Sequence, residues 1–354
     1  MIEEKNSIIF TMMHDNNMKT FVYMGGINLT KKSGVGKAVY HQISMLEKQG
    51  ISVNKSGLKQ SDIVHINTVF PDSVFMAVRA KALGKKVLYY GHSTMEDFKN
   101  SFVGSNFLAP VFKQWIVFCY GLGDAVITPT EYSKSLLEGY NIKKPVYALS
   151  NGIDTYYWRK EKELNLIQKK EFLKKYNLPD DKKVIMSVGH YMERKGITEF
   201  IELARNNPDY SFIWFGYTPS VLVPARVRKE IRQSPENLIF AGFVDSAELK
   251  KAYNFCDLFL FMSHEETEGI VVLEAMACEI PVIVRDIPVY NGWLVNGKNV
   301  FKFKQNDELP GILKQVLNST DKSIVKDAGK TALERDFSRT GQRLSAIYDI
   351  IKAI

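Results

Sequence analysis

Ser263-His264-Glu265-Glu266-Thr267-Glu268-Gly269-Ile270-Val271-Val272-Leu273-Glu274-Ala275-Met276-Ala277 is the stretch from which the fold can be read. The apolar run before it, Leu258-Phe259-Leu260-Phe261-Met262, predicts a buried strand. A helical pattern follows through Cys278, and Pro281-Val282-Ile283-Val284 predicts the next strand. The four carboxylates Glu265, Glu266, Glu268 and Glu274 crowd the loop and the helix start. Acids suit the dipole at a helix N-terminus, and the free N–H groups there also bind anions. Simple capping is the plainer reading. Against it, Glu274 lies inside the helix among Val271, Val272 and Leu273, and Gly269 permits close approach of a ligand to the backbone.

The same alternation recurs along the chain. Strands are predicted at Phe21–Met24, Asp62–Ile66, Lys86–Tyr90, Ala125–Thr128 and Val146–Leu149 in the first half. In the second half they fall at Val184–Gly189, Phe212–Gly216 and Leu238–Val244. Strands alternating with helices predict an α/β chain with parallel sheets. At 354 residues, two such domains are expected. Hydrophobic and charged contents of 45% and 24% are those of an ordinary globular protein. No run of about 18 apolar residues predicts a membrane-spanning helix. Ile8–Met13, preceded by Glu3 and Glu4, is too short for a signal peptide, so residues 1–17 read as an extension or an upstream start. Cys119, Cys256 and Cys278 lie in apolar surroundings without metal spacing, which points to reduced core thiols and a cytoplasmic protein.

The net charge of +8 is uneven. Residues 1–160 carry 19 Lys and Arg against 12 Asp and Glu, whereas the other 194 carry 28 against 27. A basic first half suits an anionic surface, membrane or nucleic acid, or serves solubility alone. The basic residues form no recognised nucleic-acid motif, so no nucleic-acid partner is expected. Between Met95 and Tyr120, Lys99 and Lys113 interrupt a run of aromatics. Val111–Tyr120 is expected to be a core helix, and Phe98–Phe107 either core or a lipid-facing loop.

Several loops could carry chemistry. Gly34 and Gly36 stand between a strand and a helix, the usual phosphate-approach geometry. The loop is not a Walker A sequence, because Lys31 replaces the first glycine and Ala38 the Ser or Thr. His92 lies just past a strand's carboxyl end, where ligands bind in open α/β sheets; His65 sits within a strand pattern. Gly189 ends a strand and is followed by Glu193-Arg194-Lys195-Gly196, whose cations could meet a diphosphate or form a solvated cluster. Asp-x-Asp is absent, so no metal-bridged diphosphate is expected, and no cofactor.

Glu266, seven residues, then Glu274 and Ala-Met-Ala resemble the E-x7-E motif of retaining glycosyltransferases of family 4. That resemblance implies the GT-B fold, two Rossmann-like domains with a nucleotide-sugar donor in the cleft between them. It is supported by Ser150-Asn151-Gly152-Ile153-Asp154, which matches the family's signature at the end of the first domain. It implies a first domain over residues 1–157, a second over 158–337, and a last helix, about 338–354, crossing back onto the first. By the same resemblance Glu274 takes the ribose hydroxyls and Glu266 those of the donor sugar, which His92 also contacts. Arg194, Lys195 and the backbone at Gly269, Ile270 and Val271 face the phosphates. Gly34 and Gly36 line the donor and acceptor side, and Gly189, Gly242, Phe243 and Val244 complete the donor pocket, the last two framing the nucleobase. His190 stands where the family has an arginine, and Glu268 where it has a phenylalanine.

The variant motif, Gly91–Phe102 and Arg285–Tyr290 resemble bacterial enzymes that glycosylate diacylglycerol lipids, particularly those adding a second hexose to monoglucosyldiacylglycerol. The resemblance implies a UDP-glucose or UDP-galactose donor, a glycolipid acceptor, and peripheral attachment to the inner membrane face through the basic first domain. Two alternatives keep the chemistry but change the acceptor, to diacylglycerol itself or to a soluble glycan or cell-wall precursor. Another makes the chain an inactive nucleotide-sugar binder.

Overall fold

The computed structural model describes residues 18–26, 33–55, 57–161 and 165–353. The extension 1–17 and Lys31 of the first loop lie outside the described residues. Strands β1 (Lys19–Tyr23), β2 (Ser52–Val53), β3 (Ile63–Ile66), β4 (Lys86–Tyr90), β5 (Ala125–Thr128) and β6 (Val146–Ala148) form one parallel sheet. Its order is β2-β1-β3-β4-β5-β6. The second sheet contains β7 (Val184–Val188), β8 (Ser211–Phe215), β9 (Leu238–Gly242), β10 (Leu258–Phe261), β11 (Val282–Arg285) and β12 (Phe301–Phe303). Its order is β12-β11-β10-β7-β8-β9.

Both sheets are covered by helices on two faces, so their strands read as unbroken apolar runs. Leu258 to Phe261 are all at most 2% exposed. In each sheet the strand order reverses beside the first strand, between β1 and β3 and between β7 and β10. A crevice opens outside the carboxyl ends of the strands at such a reversal. The quoted stretch leaves β10 at the reversal of the second sheet.

The edge strands β2 and β12, two and three residues long, are not among the predicted strands. β9 stops at Gly242 rather than Val244, since Gly242 turns to φ +73°. The helix Ser105–Gly121 corrects the expectation of a core helix over Val111–Tyr120. Ile116, Cys119 and Tyr120 are buried, but Phe107, Val111 and Phe118 are 86%, 68% and 51% exposed. Phe98, by contrast, stacks on Phe112 at 4.1 Å between centroids and meets Phe102 edge-on. The three free cysteines are buried. Among the described residues no helix is long and apolar enough to cross a membrane.

The last helix, Phe337–Ala353, packs Leu344, Tyr348 and Ile351 into the core of the first sheet with Met45 and Leu46. The chain therefore passes between the halves twice. The two passes lie side by side: Ile153 N–H donates to the Arg335 carbonyl at 2.9 Å, and Phe337 N–H to the Ile153 carbonyl at 3.0 Å.

Candidate active site

The helix holding Glu274 runs Ile270–Ala277, with Gly269 at its N-cap position in the left-handed region (φ +90°). No side chain caps it, and no acid lies in its first turn. Glu265, Glu266 and Glu268 thus belong to the loop before the helix and do other work than capping.

Glu266 is buried, and its Oε1 is gripped from one side. Lys195 Nζ donates to it, Ser263 Oγ donates at 2.7 Å, and Arg194 Nη1 lies 3.7 Å away. The two cations come from a 3₁₀ turn, Glu193–Lys195, after β7. Gly196 closes that turn at φ +74°; a Cβ there would sit 2.5 Å from the Met262 carbonyl oxygen, so the turn needs glycine to lie against the end of β10. Gly189, at the start of the same connection, lies beside Lys195 and Trp214. Burial alone would raise the Glu266 pKa, but Lys195 and Arg194 outweigh it and hold the carboxyl below its usual range. Arg194 also donates to the Glu265 carbonyl at 2.6 Å and pairs with Asp97 of the first domain at 2.9 Å. His190, in the place of the family's arginine, directs Nδ1 at the Tyr217 carbonyl, 2.8 Å away.

Glu274 is fully buried, and burial pushes its pKa up. Its partners are Tyr253, whose hydroxyl donates at 3.2 Å, and Lys37, whose Nζ donates at 2.5 Å. Lys37 belongs to the first domain. It follows Gly34 and Gly36 at the start of the helix Gly34–Lys48, where Ser33 Oγ accepts from the Gly36 N–H at 3.4 Å. Lys37 is not among the expected site residues; its place directly after Gly36 is the one signal the sequence offers for it.

Glu268 takes a structural position. It is 1% exposed and accepts from both the backbone N–H and the Nδ2 of Asn151, at 2.9 and 2.8 Å. Thr267 and Glu265 also touch the first domain: the Thr267 carbonyl accepts from Thr130 Oγ1 at 3.0 Å, and Glu265 Oε2 from the Tyr132 hydroxyl at 3.1 Å. Burial pushes the Glu265 carboxyl up to about 7, and the charges of Asp97 and Glu96 add to that effect. Glu265, Thr267 and Glu268 thus fasten the loop to the first domain, while Glu266 turns to the cations of its own domain.

The other predicted residues surround this centre at different depths. His92 is buried, stacks on Tyr90 at 4.2 Å, and places Nε2 3.2 Å from Asn67 Oδ1. Burial drops its pKa to about 3, so the ring is neutral. Asn67 donates to Gln42 at 2.8 Å, and Gln42 meets His65 and Tyr348, which ties His92 to the last helix. His65 is a packing residue, fully buried and 2.7 Å from the Tyr348 hydroxyl. Gly242 has open space above its Cα, Phe243 is half exposed and Val244 partly buried. Ile270 and Val271 occupy the first helical turn, in which the Val272 N–H donates to the Gly269 carbonyl at 2.9 Å. Among the described residues no group of three His, Cys, Asp or Glu side chains could hold a metal ion.

Two doubly wound sheets facing each other across a crevice, with a carboxylate and two cations at a reversal point, define a GT-B architecture. The chain belongs to the family 4 glycosyltransferases: residues 52–157 match Glycosyltransferase Family 4, and residues 168–334 match Glycosyl transferases group 1. It is 38% identical over 340 residues to the processive diacylglycerol alpha-glucosyltransferase of Acholeplasma laidlawii, covering 95% of this chain and 99% of that one. The alpha-galactosylglucosyldiacylglycerol synthase of Streptococcus pneumoniae is 24% identical over 73% of this chain and 69% of its own. The fold matches Anabaena HepE, solved with UDP and glucose, with a TM-score of 0.74 at 17% identity over 94% of this chain and 99% of that chain. It also matches sucrose-phosphate synthase from Thermosynechococcus elongatus, with a TM-score of 0.76 at 14% identity over 95% and 99%.

Proposed function

We propose that this glycosyltransferase moves glucose or galactose from a UDP-sugar to a diacylglycerol-type glycolipid such as monoglucosyldiacylglycerol, with retention at the anomeric carbon. The observation that carries the donor part is the contact of Lys195 and Arg194 with Glu266 at the reversal point. When a diphosphate enters, these cations have a second anion to turn to, and charge-assisted bonds to phosphate stabilise the departing group. Glu266, held ionised, then accepts from sugar hydroxyls, and Glu274 from the ribose hydroxyls. His92, kept neutral by burial, can offer one nitrogen to the sugar while the other stays on Asn67. No side chain is assigned as a covalent nucleophile; attack comes from the face the phosphate leaves.

The acceptor reading rests on the relatives named above and on the exposed apolar face of the helix Ser105–Gly121. Exposed Phe107 and Val111, with exposed Lys99 next to the Asn100–Asn106 contact, suit an anionic lipid surface on the inner face of the membrane, whereas Lys113 packs over the Tyr140 ring. The test is incubation with UDP-glucose or UDP-galactose and monoglucosyldiacylglycerol in anionic vesicles. A new diglycosyl lipid whose anomeric proton shows the α configuration is the expected product. Transfer only to a soluble glycan would overturn the acceptor, and binding of UDP without transfer to any acceptor would overturn the reaction.

A further inference from the structure

The second domain has an apolar and basic surface that the donor site does not use. After β8 the chain makes a tight turn in which the Leu222 N–H donates to the Pro219 carbonyl at 2.9 Å. Val221 at its tip is 81% exposed and Leu222 48%. A single exposed apolar residue is ordinary, but two neighbours on one projecting turn beside a cluster of cations are not. The next helix, Ala225–Arg232, buries Val227 against the domain. Its outer side carries Arg226, Arg228, Lys229 and Arg232. Among the described residues none of these four has a carboxylate partner: the helix's one acid, Glu230, pairs with Arg205 at 3.4 Å. Arg228, Lys229 and Arg232 line an open groove of about 520 Å³, and Arg228 Nη1 donates to the Ser220 carbonyl at 2.8 Å, which fixes the groove to the turn.

The location decides the partner. The Tyr217 carbonyl and Thr218 Oγ1 hold His190 and the Tyr191 N–H, at 2.8 and 2.9 Å. That same connection carries Arg194, whose N–H donates to the Asn100 carbonyl at 3.2 Å. Asn100 adjoins the segment where Val103 and Phe107 project, 63% and 86% exposed. The two apolar projections, one from each domain, therefore flank one connection at the rim of the crevice.

We propose that the turn Pro219–Leu222 and the helix Ala225–Arg232 form a second lipid-contact surface. Val221 and Leu222 enter the headgroup–acyl boundary, and Lys229, Arg232 and Arg228 take the phosphates of anionic phospholipids. The proposal rests on the membrane reading above for its partner, and it deepens that reading by having both domains touch the bilayer.

The test is sedimentation of the full chain with phosphatidylcholine vesicles, with and without phosphatidylglycerol, at low salt. Val221→Ser with Leu222→Ser lowers partitioning onto the anionic vesicles, and Lys229→Glu with Arg232→Glu lowers it by at least about tenfold while leaving binding to neutral vesicles unchanged. UDP affinity, measured by calorimetry, stays at the wild-type value in both variants. If both partition like wild type while Phe107→Ser with Val111→Ser does not, the surface is confined to the first domain and this inference falls alone. If either variant loses UDP affinity, the patch belongs to the donor site and the inference is overturned. If wild type binds no vesicle, the membrane reading fails and takes the inference with it.

Discussion

The two Rossmann-like halves use the same place in opposite ways. In each, the connection after the first strand sends a lysine to one glutamate of the E-x7-E unit. Lys195 meets Glu266 within its own domain, whereas Lys37 reaches Glu274 from across the crevice. The Lys195 side chain is 14% exposed and that of Lys37 is 27%. One pair is part of the second domain's framework. The other exists only while the halves are together, so the ionisation of Glu274 depends on domain approach. Charges in a buried pair are costly to separate, and that cost falls differently on the two.

The most severe break is Glu266→Gln. It leaves Lys195 without its buried anion, while Arg194 keeps Asp97, and it removes the charge proposed to hold the sugar hydroxyls. We expect kcat/KM for the UDP-sugar to fall about 10²–10³-fold, roughly 3–4 kcal/mol of transition-state stabilisation. Steady-state transfer assays would read it, and a loss below tenfold would remove Glu266 from the site. Glu274→Gln comes next. An acceptor of ribose hydroxyls contributes to binding, so the donor KM should rise by about 2 kcal/mol, roughly thirtyfold, with kcat little changed. A fall in kcat alone would contradict that role.

Lys37→Met sharpens the comparison. Burial already raises the Glu274 pKa, and Lys37 is the first force opposing it. Without Lys37 the carboxyl stays protonated to higher pH, so the acid limb of the kcat/KM profile should move upward. Activity should recover toward the alkaline end, and an unshifted profile between pH 5 and 9 would show that Lys37 does not govern Glu274.

The smallest effect concerns Glu265, at the contact with Tyr132. Its carboxyl is pushed from 4.5 to about 7, chiefly by burial. Between those values the native chain keeps a proton that the unfolded chain has released. This group's contribution to stability therefore falls as pH rises through that window, and the loss is complete above about 7. Urea midpoints measured from pH 5 to 8 should decline, and Glu265→Gln should flatten that part of the curve.

Much of the architecture is written in local pattern. Apolar runs such as Leu258–Met262 have one good use, a doubly covered parallel strand, and the glycines and acids after them mark the crevice. What local pattern withheld depends on partners distant in the chain. Glu266 and Glu268 are the same residue two positions apart, yet one faces Lys195 and the other Asn151. Only the packing of the two halves separates them. Lys37 carried no local sign of its partner because Glu274 is 237 positions away. The helix Ser105–Gly121 is apolar nearly all round, so its period could not say that Val111 and Phe118 face outward. β2 and β12 are short edge strands that are only partly buried, so they lack the apolar run that marks the inner strands.

The paired crossing at Ile153 and Asp336 has a mechanical consequence. A single connecting strand would act as a ball joint, free to swivel about its own axis. Two strands bonded side by side behave as a strap hinge, which resists swivelling and leaves one easy direction of rocking. Each opening and closing should then return Lys37 to the same carboxylate oxygen, with no search over orientations. Registration of the crevice is thus supplied by the joint that also carries Asn151, the partner of Glu268.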